Sequence, residues 1–168
     1  MTREDTLVIE SLRCGRVEVK SSALLYFQGI PGFPHASRFV VFEHAAEAPF
    51  SWLISADLPE LAFVIADPWE FFPDYAPQVD PSRIEELGAK DGDELEVLVI
   101  VSVSDAGEVT MNLAAPLIIH PHTHKGVQVI LEQGDYSVRQ PLPKLEAEVG
   151  DSDSSQGQPR SGADPNPR

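Results

Sequence analysis

The sequence is short of four things, and each shortage closes off a class of explanation. Cysteine occurs once, at Cys14, in 168 residues, which excludes an internal disulfide framework and any site built from several thiolates. Cys14 itself reads as a small, semi-buried packing residue. Long apolar runs are missing: none approaches the roughly 20 residues that a membrane-spanning helix needs. Met1-Thr2-Arg3-Glu4-Asp5 lacks the basic-then-apolar order of a secretory signal, so a cytoplasmic protein is expected. Positive charge is scarce, with 12 Lys plus Arg against 27 Asp plus Glu and a net charge of −15. That balance repels phosphate backbones and anionic lipid surfaces, so neither direct nucleic-acid binding nor membrane binding is expected. Helical periodicity, finally, is rare along the whole chain.

What is present is a series of short β-branched and aromatic runs, broken every ten residues or so by turn chemistry. The pattern predicts strands at Leu7 to Glu10, Arg16 to Lys20, Leu24 to Phe27, Arg38 to Glu43, Phe50 to Ser55 and Ala62 to Ala66. Further strands are predicted at Glu94 to Ser104, Val109 to Leu113, Leu117 to His120, Gly126 to Leu131 and Tyr136 to Arg139. In the longest of these, Leu95, Val97, Val99, Val101 and Val103 make one wholly apolar face, while Leu98 and Ile100 sit at the centre of the other. A strand covered on both sides over part of its length has this composition. Two helical starts are explicit. Asp80-Pro81 opens about two turns that Gly88 ends, and Asp67-Pro68 opens a single turn that Pro73 stops. No helix is long enough for the crossovers of a parallel sheet. The expected fold class is all-β: a small, strongly bent antiparallel β-barrel-like domain with one or two short helical insertions. The pattern does not separate barrel from sandwich.

The domain is expected over residues 1–143. From about residue 144 the chain turns rich in Ser, Gly, Pro and Asp, with almost no large apolar side chain to offset the entropy of ordering, so residues 144–168 are expected to be a disordered polar tail.

Enzymatic chemistry finds little support. The one metal-like pattern is His120-Pro121-His122-Thr123-His124, whose alternation would set three imidazoles on one side of an extended chain. A small metal-binding, cupin-like β-barrel enzyme using His120, His122 and His124 is therefore the alternative reading. Against it, Pro121 interrupts any ladder, no carboxylate is close in sequence, and a solvated polar turn accounts for the residues. No Gly-x-Ser-x-Gly is present, and Gly29-Ile30-Pro31-Gly32 lacks the pattern of a phosphate cradle.

Two features point instead to protein contacts. From Asp67 to Glu108 there are 12 acidic residues and only Arg83 and Lys90 as bases, which on one face would steer a basic partner. Within that stretch, Trp69, Phe71, Phe72 and Tyr75 crowd a one-turn corner with more aromatic surface than it can bury on itself. Either the rings cap the open end of the barrel, or Pro-fixed rings rimmed by acids make a partner surface. The candidate partner-binding residues are Asp67, Pro68, Phe71, Pro73, Asp74 and Tyr75; no catalytic, metal or cofactor-binding residue is assigned.

Several blocks, in order and spacing from about Val8 to Arg139, resemble the FliW family of flagellar assembly factors. They are Phe27-Gln28-Gly29-Ile30-Pro31-Gly32-Phe33, Pro49 to Ser55, Leu61 to Pro68 with Phe71, Pro73, Asp74 and Tyr75, Asn112 to Ile119, and Gly126 to Ile130. The resemblance implies a β-barrel-like protein without catalytic activity or cofactor, monomeric when free. It implies two partners: flagellin, and CsrA, the small RNA-binding regulator that represses flagellin translation. Export of flagellin would free the protein to sequester CsrA, through a contact away from the RNA site. One departure stands out. The family usually reads Ile-Asn where this chain has Ile119-His120, and an Asn there would fix a turn through its side-chain carbonyl.

Overall fold

The computed structural model describes residues 5–143 apart from Gly29, Asp91 and Gln133; the expected tail, 144–168, lies outside the described residues. The strands are β1 (Thr6–Ser11), β2 (Gly15–Lys20), β3 (Leu25–Phe27), β4 (Arg38–Glu43), β5 (Phe50–Ser55) and β6 (Ala62–Ala66). They continue as β7 (Glu96–Val103), β8 (Val109–Met111), β9 (Leu117–His120), β10 (Lys125–Gln128) and β11 (Gln140–Pro141). The single α-helix among the described residues, α1, spans Pro81–Glu85; Asp80 Oδ1 caps it by accepting from the Ser82 amide at 2.9 Å.

Sheet pairing decides between barrel and sandwich. The order β7-β6-β5-β4-β3-β10-β9 returns to its start because β9 also pairs with β7, so seven strands form a closed barrel. Every neighbouring pair is antiparallel except β3 with β10. Beyond the ring, β8 and β11 extend the sheet from β7, and β1 with β2 forms a separate ribbon. Closure removes sheet edges that would otherwise pair with other chains.

Strand alternation fills the barrel. Phe27, Phe39, Leu53, Ile65, Leu98, Leu117 and Ile119 make the buried interior, with Ile100 and Phe63 packed against it. Gly126 of β10 lies across from Phe27 in register, and a Cβ there would meet the Phe27 ring at 2.5 Å. Only a glycine lets the ring pass so close to the parallel seam.

The outward residues are buried too, by three coverings. The β1–β2 ribbon lies over Val40 and Ile54 through Ile9 and Val17, where Cys14 is half-buried and burial raises its thiol pKa. Leu87, just past α1, packs with Ile118, Val127 and Val129. The corner after β6 covers Val99, Val101 and Met111. Hence β7 is apolar on both faces. Leu98 and Ile100 point inward, whereas Val99 and Val101, on the face that reads as wholly apolar, point outward under the corner. The last strand also differs from expectation. Val138 and Arg139 form a turn and pairing falls on Gln140–Pro141, because Tyr136 is used as a packing ring.

Candidate functional site

The corner after β6 begins as its sequence dictates. Asp67 Oδ1 accepts from the Trp69 amide at 2.9 Å and Pro68 occupies the first turn, giving a 3₁₀ segment over Pro68–Glu70. From there the chain folds back on the barrel wall. Trp69 Nε1 donates to the Tyr75 carbonyl at 2.8 Å, and the Tyr75 hydroxyl donates to the Leu113 carbonyl at 2.7 Å. Tyr136 meets Tyr75 edge-on with ring centroids 4.8 Å apart, and its hydroxyl accepts from the Ala76 amide at 2.9 Å. Phe71 stacks on Phe50 at 5.7 Å. Burial, and then the neighbouring Tyr136, push the Tyr75 phenol far above the ordinary tyrosine range, so it remains a protonated donor.

The six candidate residues therefore divide. Pro68 and Tyr75, the latter 5% exposed, are buried, and Phe71 is half-buried. Asp67, Pro73 and Asp74 are exposed, as is Trp69 at 38%. The rings cover the outer face of β7 and β8 and do not cap the barrel's end, because the turn at Pro68 redirects the chain across the wall.

The barrel's end beside this corner carries a different chemistry. Inward alternation along β4 ends at Glu43, that of β6 runs on to Asp67, and that of β7 starts at Glu96, so three carboxylates from three strands gather at one mouth. Partial desolvation, then the charges of Glu43 and Asp67, raise the Glu96 pKa. Next to it is an open cleft of about 530 Å³, lined by Glu43, His44, Pro49, Phe50, Asp67 and Glu70 among others. Of these, sequence reasoning singled out Asp67 alone. Glu43 and Glu96 are the end residues of β4 and β7, and following each strand's inward alternation to its end finds both.

The geometry of the histidine segment does not support the metal-binding reading. His120 is 3% exposed, contrary to a solvated turn. Its Nε2 lies 2.9 Å from Asp93 Oδ2, and its Nδ1 accepts from the amides of His122 at 3.2 Å and Thr123 at 3.1 Å. Both ring nitrogens are thus in use. Among the described residues, no group of three or more His, Cys, Asp or Glu is placed to hold a metal ion. The carboxylate absent from the local sequence arrives from 27 residues away. Its hydrogen bond from His120, and that from the Lys90 amide, hold the Asp93 carboxyl below its usual range.

A small closed β-barrel with covered outer walls and an anionic mouth is the class of protein that this geometry defines. The model of the FliW protein family matches residues 8–142, so the chain belongs to the FliW family. The flagellar assembly factor FliW 2 of Desulfotalea psychrophila is 40% identical over 136 residues, covering 79% of this chain and 89% of the relative. That of Syntrophotalea carbinolica is 36% identical over 132 residues, covering 78% and 94%. A crystal structure of the flagellar assembly factor FliW superposes with a TM-score of 0.75 at 31% identity, covering 82% of this chain and 99% of the other. The protein is a flagellar assembly factor, and no helix among its described residues is long and apolar enough to cross a membrane.

Proposed function

We propose that this flagellar assembly factor works in the cytoplasm by binding proteins and not by catalysis, that its partners are flagellin and the translational regulator CsrA, and that it antagonises CsrA when flagellin has been exported. The observation that carries the CsrA half of this reading is the mouth where Glu43, Asp67 and Glu96 converge beside Glu70 and the exposed Trp69. An RNA-binding protein carries basic residues, and an anionic surface attracts it from a distance. Asp67, Pro73 and Asp74 offer the adjoining rim, while Pro68, Phe71 and Tyr75 hold that rim in place. Partner exchange of this kind needs protein surfaces and no cofactor.

Co-purification of the full chain with the host's CsrA and flagellin, at low and at high salt, tests the proposal. Both partners should be retained at low salt, and CsrA should associate more slowly as salt rises. Failure to retain either partner under both conditions would remove the proposal.

A further inference from the structure

The turn between β9 and β10 is closed by an imidazole in a way that depends on where its proton sits. The hydrogen bonds assign the tautomer: Nδ1, accepting two amides, is bare, and Nε2 carries the proton toward Asp93 Oδ2. The ring thus does what a side-chain carbonyl of Asn would do at this position, with one difference. An amide oxygen does not titrate in the physiological range, whereas imidazole does.

The turn also sits where its closure matters. The Thr123 hydroxyl donates to the Leu87 carbonyl at 2.7 Å, tying the turn to the end of α1. His124 is held at φ 61, in the left-handed region that side chains other than glycine seldom occupy. The carbonyl of His124 accepts from the Tyr26 amide at 2.7 Å. That bond abuts the parallel seam of β3 and β10, which has two register pairs, Tyr26 with Lys125 and Phe27 with Gly126.

We infer that His120 is a proton-sensitive latch: neutral, it closes the β9–β10 turn and braces the β3–β10 seam, and protonated, it releases both. A proton on Nδ1 places a donor against two N–H donors, so the amides of His122 and Thr123 must turn away. The left-handed strain at His124 favours that release. Among the described residues, charged and titratable groups come from each element around the ring, His124 of the same turn included. Asp93 and Lys90 belong to the segment before β7, and the Lys90 amide shares the Asp93 carboxylate. His122 lies in the same turn, with ring centroids 5.8 Å apart. Lys125 is the register partner of His120 on β10, and Glu96 is that of Ile119 on β7. Near α1, Arg83 and Glu86 pair with each other. Asp93 keeps its hydrogen bond to Nε2 in either state, and the bond from the His124 amide to the His120 carbonyl, 2.9 Å, does not involve the ring. The amides of His122 and Thr123 are therefore the contacts that protonation of Nδ1 breaks directly.

Nuclear magnetic resonance of the full chain between about pH 8 and about pH 5 tests the latch. At the alkaline end the His120 nitrogen signals should identify Nε2 as the protonated one. On acidification the amide signals of His122, Thr123 and Tyr26 should shift together, with one midpoint matching that of His120. In His120→Asn, which keeps an acceptor that does not titrate, those three amides should stay still, and in His122→Ala the Thr123 and Tyr26 shifts should persist. A bare Nε2, amides that do not move while His120 titrates, or an unchanged pH response in His120→Asn would each overturn the inference. Should His120→Asn fail to fold, the wild-type tautomer and the His122→Ala titration decide it alone.

Discussion

The aromatic corner and the acidic mouth share Asp67, yet they solve opposite problems. In the corner every polar atom that the rings bring with them is satisfied: the Trp69 indole, the Tyr75 hydroxyl and the Tyr136 hydroxyl each reach a backbone group. At the mouth three carboxylates from β4, β6 and β7 are gathered, and partial desolvation, then the charges of Glu43 and Asp67, leave Glu96 with a raised pKa. Packing and polar satisfaction explain the first region. Like charges held together by the fold raise its free energy, so packing does not explain the second, and the proposed docking of a basic partner would.

The comparison can be broken by substitution on either side. Tyr75→Ala should have the largest effect, a loss of about 3–5 kcal/mol in denaturant unfolding, because it empties a buried site under Tyr136 and Trp69. Gly126→Ala comes next: its Cβ runs into the Phe27 ring, and strain of this kind costs about 1–3 kcal/mol. Tyr75→Phe keeps the packing but strands the Leu113 carbonyl, so about 1–2 kcal/mol should be lost. Glu96→Gln goes the other way and should raise the thermal midpoint slightly at neutral pH. The sign follows from linkage. A carboxyl whose pKa is raised on folding binds its proton more tightly in the native state, so wild-type stability falls as pH rises from the unfolded value through the folded one. The gain from Glu96→Gln should therefore vanish in acid, which a pair of pH-stability curves would show.

Much of this fold is legible in the sequence, and the illegible parts share a cause. Local chemistry foretells the strands, the Asp80 and Asp67 caps and the double-sided burial of β7, since each depends on neighbours a few residues apart. Closure through β7 and β9, the Tyr75 bond to Leu113 and the Asp93 bond to His120 join residues far apart in sequence, and no spacing rule reports them. The last strand falls later than its composition predicts because Tyr136 is strand-like in type but serves as a packing ring. The histidine segment misleads for a related reason. Alternation suggested three ligands on one side, whereas folding buries His120 against its own turn and gives His124 a left-handed backbone. At the mouth the signal was present in strand parity: Glu43 and Glu96 fall on the inward faces of β4 and β7.

In the proposed function the mouth is the docking surface and the corner only supports it. The direct measurement is the association rate of CsrA with wild type and with Glu43→Gln/Asp67→Asn/Glu96→Gln, where Asn at 67 retains a capping side chain. The variant should fold with undiminished stability, bind CsrA more slowly, and lose most of the salt dependence of that rate. Equal rates and equal salt dependence in the two proteins would contradict the account.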